Sequence, residues 1–223
     1  MKAAFEGKLV ETKSDWGYEK LSDLCVINPP KKEVRDLDEN LEITFLPMHS
    51  VSEHGKIISR EKKRLKEVIK GYTYFRNDDV LLAKITPCFE NGKRAIAKDL
   101  DNGIGFGTTE FHVLRPKEKV TSNWIFFGIS RDDFKNEAKN KMTGTAGQKR
   151  VPRRIVENFK ISVPKIQEQI QIAQEIESRF SVIDKVEKTI NNALLKSEQL
   201  RKSILKSAFE GKILKYNRDD KND

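Results

Sequence analysis

The chain has 223 residues, a net charge of +9 and 35% charged residues, which allows one domain of ordinary size plus an extended element. No apolar run approaches the roughly 20 residues that cross a bilayer. Charged residues interrupt the N-terminal stretch, so neither a membrane anchor nor a signal peptide is predicted. The excess of Lys and Arg favours a polyanionic partner such as nucleic acid or an anionic membrane surface, although a simply well-solvated surface fits the charge equally well.

The cysteines and histidines do not form a metal-binding or redox pattern. Cys25 and Cys88 lack a Cys-x-x-Cys spacing, so we expect free thiols in a reducing cytoplasm. The three histidines form neither a His-Glu-x-x-His motif nor a Cys/His cluster. We therefore expect a cytoplasmic protein without a bound metal or cofactor.

An eight-residue repeat lies at the two ends of the chain. Residues 2–9 read Lys-Ala-Ala-Phe-Glu-Gly-Lys-Leu and residues 206–213 read Lys-Ser-Ala-Phe-Glu-Gly-Lys-Ile, identical at six of eight positions. This is typical of one period of a tandem duplication. Residues 1–15 are then expected to be the end of a preceding repeat helix plus a connector. Gly7 and Gly211 fit the position just after a helix, where a left-handed residue closes the last turn.

Residues 16–163 read as a globular domain of mixed α/β type, so the fold class predicted is α+β. Strands are predicted at 41–48, 79–87, 94–97, 109–114 and 159–164, and helices at 59–70, 121–139 and 153–157. The Asn91-Gly92 pair is a tight-turn signal. Trp124 and Phe127 lie on an apolar helix face and are expected in the core.

Residues 164–214 are predicted to form one long coiled-coil helix, with a disordered tail at 215–223. Apolar residues recur with a mean step of about 3.5, the period of a supercoiled helix. The rod would be roughly 70 Å long, and no other predicted helix is long enough to cover its apolar stripe. We therefore expect the stripe to pair with another molecule. The predicted interface residues are Ile170, Ala173, Ile176, Phe180, Ile183, Ile190, Leu194 and Ile204.

Several short patterns suggest chemistry but are incomplete. Asn28-Pro29-Pro30 is similar to the Asn-Pro-Pro-aromatic motif of adenine methyltransferases, but a lysine follows it here. The glycines of 103–107 do not lie between a strand and a long helix, as a cofactor loop requires. Asp78 and Asp79 are interpreted as turn residues. Because the sequence shows no set of nucleophile, base and orienting group, we predict no catalytic residues.

A basic, glycine-containing loop is the best candidate for nucleic-acid contacts. Glycines let backbone amides approach phosphate, while Thr, Gln and Arg side chains offer hydrogen bonds to phosphates and base edges. The candidates in and beside this loop are Lys141, Thr143, Thr145, Gln148, Lys149, Arg150 and Arg153. A second group is Lys84, Thr86, Lys93 and Arg94, and a third is Thr108. The alternative for the first group is an ordinary flexible loop. The alternatives for the second and third groups are a solvated turn and a structural turn, respectively.

The order and spacing of seven short segments resemble one half of the DNA-specificity subunit of type I restriction–modification enzymes. The segments are Lys20-Leu-Ser-Asp-Leu-Cys, Asp79-Val-Leu-Leu-Ala-Lys-Ile-Thr-Pro, Asn91-Gly-Lys-Arg-Ala-Ile, Gly144-Thr-Ala-Gly-Gln-Lys-Arg-Val-Pro, Asn158-Phe-Lys-Ile-Ser-Val-Pro, Glu168-Gln-Ile and Leu205-Lys-Ser-Ala-Phe-Glu-Gly-Lys-Ile-Leu. The resemblance implies two target recognition domains, each reading half of a split double-stranded DNA site, separated by two antiparallel helices that also dock methyltransferase subunits. Catalysis would belong to those subunits and to restriction subunits in the full complex.

The chain departs from this family pattern because it holds one recognition domain and one rod. One hypothesis is a homodimer with two-fold symmetry that recognises a palindromic site. Another is a fragment whose other half lies on a second polypeptide. Two further classes stay open, namely a methyltransferase or nuclease enzyme and a coiled-coil scaffold that binds only protein.

Overall fold

The computed structural model describes residues 2–7, 9, 16–145 and 147–212. The predicted disordered tail, and most of the predicted connector, lie outside these residues. Contacts divide the chain into two units, Met1–Ile176 and Glu177–Asp223. The division therefore falls inside the long C-terminal helix rather than at its beginning.

The described residues form ten strands and seven α-helices. The strands are β1 (Gly17–Lys20), β2 (Cys25–Ile27), β3 (Glu42–Leu46), β4 (Glu61–Arg64), β5 (Thr73–Arg76), β6 (Val80–Ala83), β7 (Arg94–Ile96), β8 (Ile104–Gly107), β9 (Phe111–Pro116) and β10 (Lys160–Val163). The helices are α1 (Lys2–Phe5), α2 (Leu21–Leu24), α3 (Leu65–Val68), α4 (Ser122–Gly128), α5 (Asp132–Asn140), α6 (Arg153–Asn158) and α7 (Ile166–Phe209). Three 3₁₀ turns lie at Lys31–Val34, Met48–Ser50 and Asp101–Gly103.

Three sheets are formed by these strands, and they confirm the α+β class. β1 pairs with β10 in a two-stranded antiparallel sheet. A four-stranded antiparallel sheet has the order β2-β9-β6-β7, with Leu82 opposite His112 in its centre. The third sheet has the order β4-β3-β8-β5, in which β3 and β8 run parallel. β6 is buried along its whole length, as its continuous apolar sequence predicts.

The helix predicted at 121–139 is two helices. Thr121 caps α4 through its hydroxyl, which accepts a hydrogen bond from the Trp124 amide. Ser130 then donates its hydroxyl proton to the Phe126 carbonyl at 2.6 Å, and Arg131 is extended before α5 begins. The Ser130 hydroxyl offers the backbone a local alternative to continuing the helix, which accounts for the break. Trp124 and Phe127 are buried in the core, as predicted.

Two other segments differ from prediction because the sheet partner, not local propensity, decides their conformation. Residues 61–64, predicted as helix, form β4 at the edge of β3, and only Leu65–Val68 is helical. The glycines beside Thr108, a segment for which a structural turn was the alternative, lie in the buried strand β8. A Cβ on Gly105 would lie 2.0 Å from the Phe75 ring, so glycine is required for these two strands to pair.

Asp79 is not a simple turn residue. Its carboxylate is buried and pairs in bidentate fashion with Arg115, with both N···O distances at 2.8 Å. Arg115 also donates to Glu33 at 2.7 Å, and Tyr74 donates its hydroxyl to the same carboxylate. This network joins β6 and β9 to the 3₁₀ turn at Lys31–Val34.

α7 has 44 residues and ends in a glycine cap. Gly211 has φ +67, its amide donates to the Ala208 carbonyl, and the Lys212 amide donates to the Ser207 carbonyl. These two bonds form a Schellman motif, which confirms the predicted role of Gly211. Gly7 likewise has φ +70 after α1.

The first turns of α7 pack into the globular unit. Gln169 is buried and its amide group bonds to the Thr121 amide and to the Lys119 and Pro164 backbone carbonyls. Ala173 and Ile176 are buried in the same core, so their predicted place in an intermolecular interface is wrong. The apolar faces of Phe180, Ile183, Ile190, Leu194 and Ile204 are exposed, and Ile170 is partly so. The next longest described helix is α5, with nine residues.

Candidate nucleic-acid interface

Three separate segments meet at the basic loop. The loop doubles back on itself through two bonds between Thr143 and Arg150, at 3.0 and 2.7 Å. Its returning arm bonds to the segment after β6, since the Thr86 amide donates to the Lys149 carbonyl and the Val151 amide to the Lys84 carbonyl. Lys84 is in turn bonded through its amide to the Glu110 carbonyl. The candidates after β6, before β9 and in the loop therefore share one site.

The loop forms a narrow hairpin whose tip is exposed. Gly144 has φ +123, and a Cβ there would lie 2.8 Å from the Gln148 carbonyl oxygen. The Gln148 amide donates to the Thr145 carbonyl at 3.0 Å and closes the tip. The side chains of Thr145, Gln148 and Lys149 are exposed, which leaves an amide, a hydroxyl and an ammonium group pointing outward from a braced backbone.

Arg150 is engaged within the protein. Its Nε and Nη2 atoms donate to the two carboxylate oxygens of Glu110 at 2.9 and 2.8 Å, and Nη1 donates to the Gln148 carbonyl. The bond from Arg150 lowers the pKa of the Glu110 carboxyl below its ordinary value. Because three of its five N–H groups are used in this way, Arg150 holds the shape of the hairpin and has few donors left for a ligand.

The other predicted contacts lie in varied environments. Lys141 and Arg153 form ion pairs within one helical turn, with Glu137 and Glu157 respectively. Lys93 donates to the Met48 carbonyl.

Arg94 and Thr108 have mainly structural contacts. The Arg94 guanidinium lies over the Phe126 ring at 4.8 Å and donates to the Gly92 carbonyl, and burial lowers its pKa to about 10. Arg94 is therefore a poor candidate for a phosphate contact. The Thr108 hydroxyl accepts a bond from the Glu110 amide and shapes the turn before β9.

Sequence reasoning missed the support beneath the loop. His112 is buried; its Nε2 lies 2.8 Å from the Val151 carbonyl and its Nδ1 3.3 Å from the Asn28 amide nitrogen. Since a carbonyl can only accept, Nε2 carries the proton and Nδ1 accepts from Asn28. Burial lowers the pKa of His112, so the ring is neutral. Asn28 adopts a left-handed backbone conformation (φ +54), which asparagine tolerates better than most residues. Its side-chain oxygen also accepts a hydrogen bond from the Val113 amide.

Among the described residues, no group of three or more His, Cys, Asp or Glu side chains could hold a metal ion. Cys25 and Cys88 are free thiols, and burial raises the pKa of Cys25 to about 12, which leaves it unreactive as a nucleophile. No described helix is long and apolar enough to cross a membrane. The site offers hydrogen-bond donors and positive charge on an exposed hairpin.

Comparison with known proteins gives the class of the fold. The structure of the HsdS subunit from Thermoanaerobacter tengcongensis superposes with a TM-score of 0.64 at 23% identity, covering 86% of this chain and 48% of that one. A chain from a structural study of complex assembly in the type I R-M system gives a TM-score of 0.68 at 21% identity, covering 88% and 50%. The fold is therefore that of one half of a type I specificity subunit.

The sequence comparisons show the family. The Type I restriction modification DNA specificity domain matches residues 13–196. The EcoAI and EcoEI specificity subunits of Escherichia coli are 39% and 38% identical to this chain over 90% and 89% of its length. The chain spans only 34% and 33% of those relatives. It belongs to the type I restriction–modification specificity family, whose members are not themselves enzymes.

Proposed function

We propose that this chain reads one half of a bipartite double-stranded DNA site for a type I restriction–modification system in the cytoplasm. Residues 16–163 would be the target recognition domain and residues 164–214 the spacer and pairing helix. Methylation and restriction would be supplied by docked methyltransferase and restriction subunits, which use their own cofactors. The observation that carries the proposal is the braced hairpin that exposes Thr145, Gln148 and Lys149 on a chain of net charge +9.

Two copies would pair through α7 in an antiparallel arrangement with two-fold symmetry, so the recognised site would be palindromic. The exposed apolar side chains from Phe180 to Ile204 support pairing, because water contact with such a stripe is unfavourable. A half-subunit on a second polypeptide is the other possible partner. With Ala173 and Ile176 already buried, the seam would run through Phe180, Ile183, Ile190, Leu194 and Ile204.

The residues at the site would divide into two roles. Lys149, exposed and carrying a compact charge, would contact a phosphate. Gln148 would read a base edge, as a side-chain amide does when it pairs with adenine in the major groove. Arg150 would position both through its bonds to Glu110 and to the Gln148 carbonyl.

The test is selection of duplexes from a random DNA pool by the purified chain, followed by titration of the selected and an unrelated duplex at several salt concentrations. Lys149→Gln should weaken both duplexes by the same factor and reduce the slope of log affinity against log salt by about 1. Gln148→Ala should reduce only the preference for the selected duplex, by about 1–3 kcal/mol.

Lys70→Gln, which removes another exposed lysine of the globular unit, is the matched control and should change neither property. Wild-type binding by both loop variants would show that the hairpin is not the reading surface. A chain that retains no duplex even at low salt would instead favour the protein-only scaffold.

A further inference from the structure

The two copies of the octapeptide repeat lie in opposite environments. In the N-terminal copy, Ala4 and Phe5 are 2% and 3% exposed and belong to the main core. In the C-terminal copy, Ala208 is exposed and Phe209 is 91% exposed, the most exposed of the large apolar side chains that the structure describes. A phenylalanine left in water at the end of a helix is unfavourable unless something covers it.

The pocket that holds Phe5 recognises both its ring and its backbone. The ring packs on Trp124 with centroids 4.2 Å apart, and the Arg131 guanidinium lies over its face at 5.0 Å. Gly128 lies beside the ring, since a Cβ there would be in ordinary van der Waals contact with it at 3.7 Å. The buried Ser162 hydroxyl donates to the Phe5 carbonyl at 2.9 Å. An aromatic residue in a helical turn is what these groups fit.

Phe209 presents the same features as Phe5. The sequence Ala-Phe-Glu-Gly-Lys is shared by both copies, so the residues before and after the ring are the same. In both copies the helix ends at the phenylalanine and a left-handed glycine lies two residues later, with φ +70 at Gly7 and +67 at Gly211. A pocket that accepts one copy therefore has the shape and the hydrogen-bond donor to accept the other.

The position of the pocket in the chain matches the proposed pairing. Ser162 lies on β10, which ends at Val163, just before α7 begins at Ile166. In an antiparallel pair of α7 helices, the end of each helix lies beside the beginning of its partner. Phe209 of one copy would thus lie next to the Phe5 pocket of the other.

We propose that this pocket is a docking site for the C-terminal repeat of a second copy of the chain, with Phe209 replacing Phe5. The inference rests on the proposed antiparallel pairing and adds its anchor at each end. The N-terminal repeat is then an internal competitor, which fills the pocket until a second copy displaces it. Docking at both ends of the pair would hold the two recognition domains at one separation.

A peptide of residues 206–213 with a fluorescent label tests the pocket directly. The full-length chain with both Phe5→Ala and Phe209→Ala, in which neither copy of the repeat can fill the pocket, should bind this peptide at least tenfold more tightly than the wild-type chain does. A peptide carrying Phe209→Ala should bind at least tenfold more weakly to the same double variant. Equal binding of the two peptides to a double variant with a native circular dichroism spectrum would overturn the proposal.

Self-association of the full chain, measured by sedimentation equilibrium, is the second test. Its main variant changes an exposed residue and therefore leaves the core packing intact. Phe209→Ala, at an exposed position, should weaken association at least tenfold, whereas Phe5→Ala should strengthen it. Ile58→Ala, which shortens another exposed apolar side chain, is the control and should leave it unchanged. If Phe209→Ala dimers are as stable as wild-type ones, the docking site is wrong while pairing through α7 stands; a monomeric wild-type chain would refute the pairing itself.

Discussion

At the scale of single residues, the buried charges of Asp79 and Arg115 are compensated by hydrogen bonds between them. Arg115 and Asp79 are both almost fully buried. The Nε and Nη2 atoms of Arg115 each lie 2.8 Å from one carboxylate oxygen of Asp79. A carboxylate or guanidinium taken out of water costs several kcal/mol unless it is paired in this way. Both members are therefore needed together, which makes the pair a sensitive point of the fold.

We expect Asp79→Asn to destabilise the protein by about 3 kcal/mol, because the Arg115 guanidinium loses its buried bidentate carboxylate and keeps only the ion pair with the half-exposed Glu33. The free energy of unfolding from urea titration measures the effect. Asp36→Asn, which makes the same chemical change at an exposed carboxylate, should alter stability by less than about 0.5 kcal/mol. Equal stability of the two variants would show that the pair does not hold β6 to β9.

The candidate site also contains an arginine paired with a carboxylate. Arg150 has the appearance of a DNA-reading residue in the sequence, but its bonds to Glu110 make it part of the support. Its neighbours Gln148 and Lys149 are exposed. Residue type suggested the kind of site, whereas the pairing of Arg150 with a carboxylate distant in sequence is visible only in the structure.

At the scale of elements, β8 shows how a strand can lack the usual sequence signals of a strand. Its two glycines have no side chain to indicate β structure, and β-branched or aromatic residues occupy only the other two positions. The reason lies across the sheet, where the Phe75 ring fills the space above Gly105 and the Leu46 carbonyl approaches Gly107.

Gly105→Ala should therefore destabilise the protein by roughly 1–3 kcal/mol, since its Cβ would overlap the Phe75 ring in a packed core. Thermal and urea unfolding would both report the loss. Gly17→Ala, also in a strand but with open space around the new Cβ, is the paired control and should be nearly neutral. A Gly105→Ala protein as stable as the control would mean that Phe75 moves aside at little cost.

At the scale of the whole molecule, the feature that supports the proposed pairing is the exposed apolar stripe that begins at Phe180. An isolated helix gains little from propensity alone and is stabilised mainly by packing of such a face. The first turns of α7 satisfy this requirement against the globular unit, and the remaining turns do not. Their exposure is consistent with a molecule that works as a pair.

We predict that Ile190→Lys prevents pairing. Loss of one buried isoleucine on each of two chains removes roughly 3–6 kcal/mol of association free energy. The dissociation constant of the pair should therefore rise by a factor of about one hundred or more. Asn191→Lys adds the same charge at the next residue, on a different side of the helix, and should leave association intact. Sedimentation equilibrium distinguishes the two, and a wild-type-like Ile190→Lys dimer would remove α7 as the interface.

Elements that have local causes could be predicted from the sequence. The buried strand β6, the long helix with its glycine cap, the α+β class and the family are all readable, because periodicity, turn residues and motif order are properties of neighbouring positions. The edge strand β4, the glycine strand β8 and the burial of Ala173 and Ile176 in the globular unit are evident only in the folded protein. The same holds for the pairing of Arg150 with Glu110, which is 40 residues away, because contacts between distant residues follow from packing rather than from local pattern.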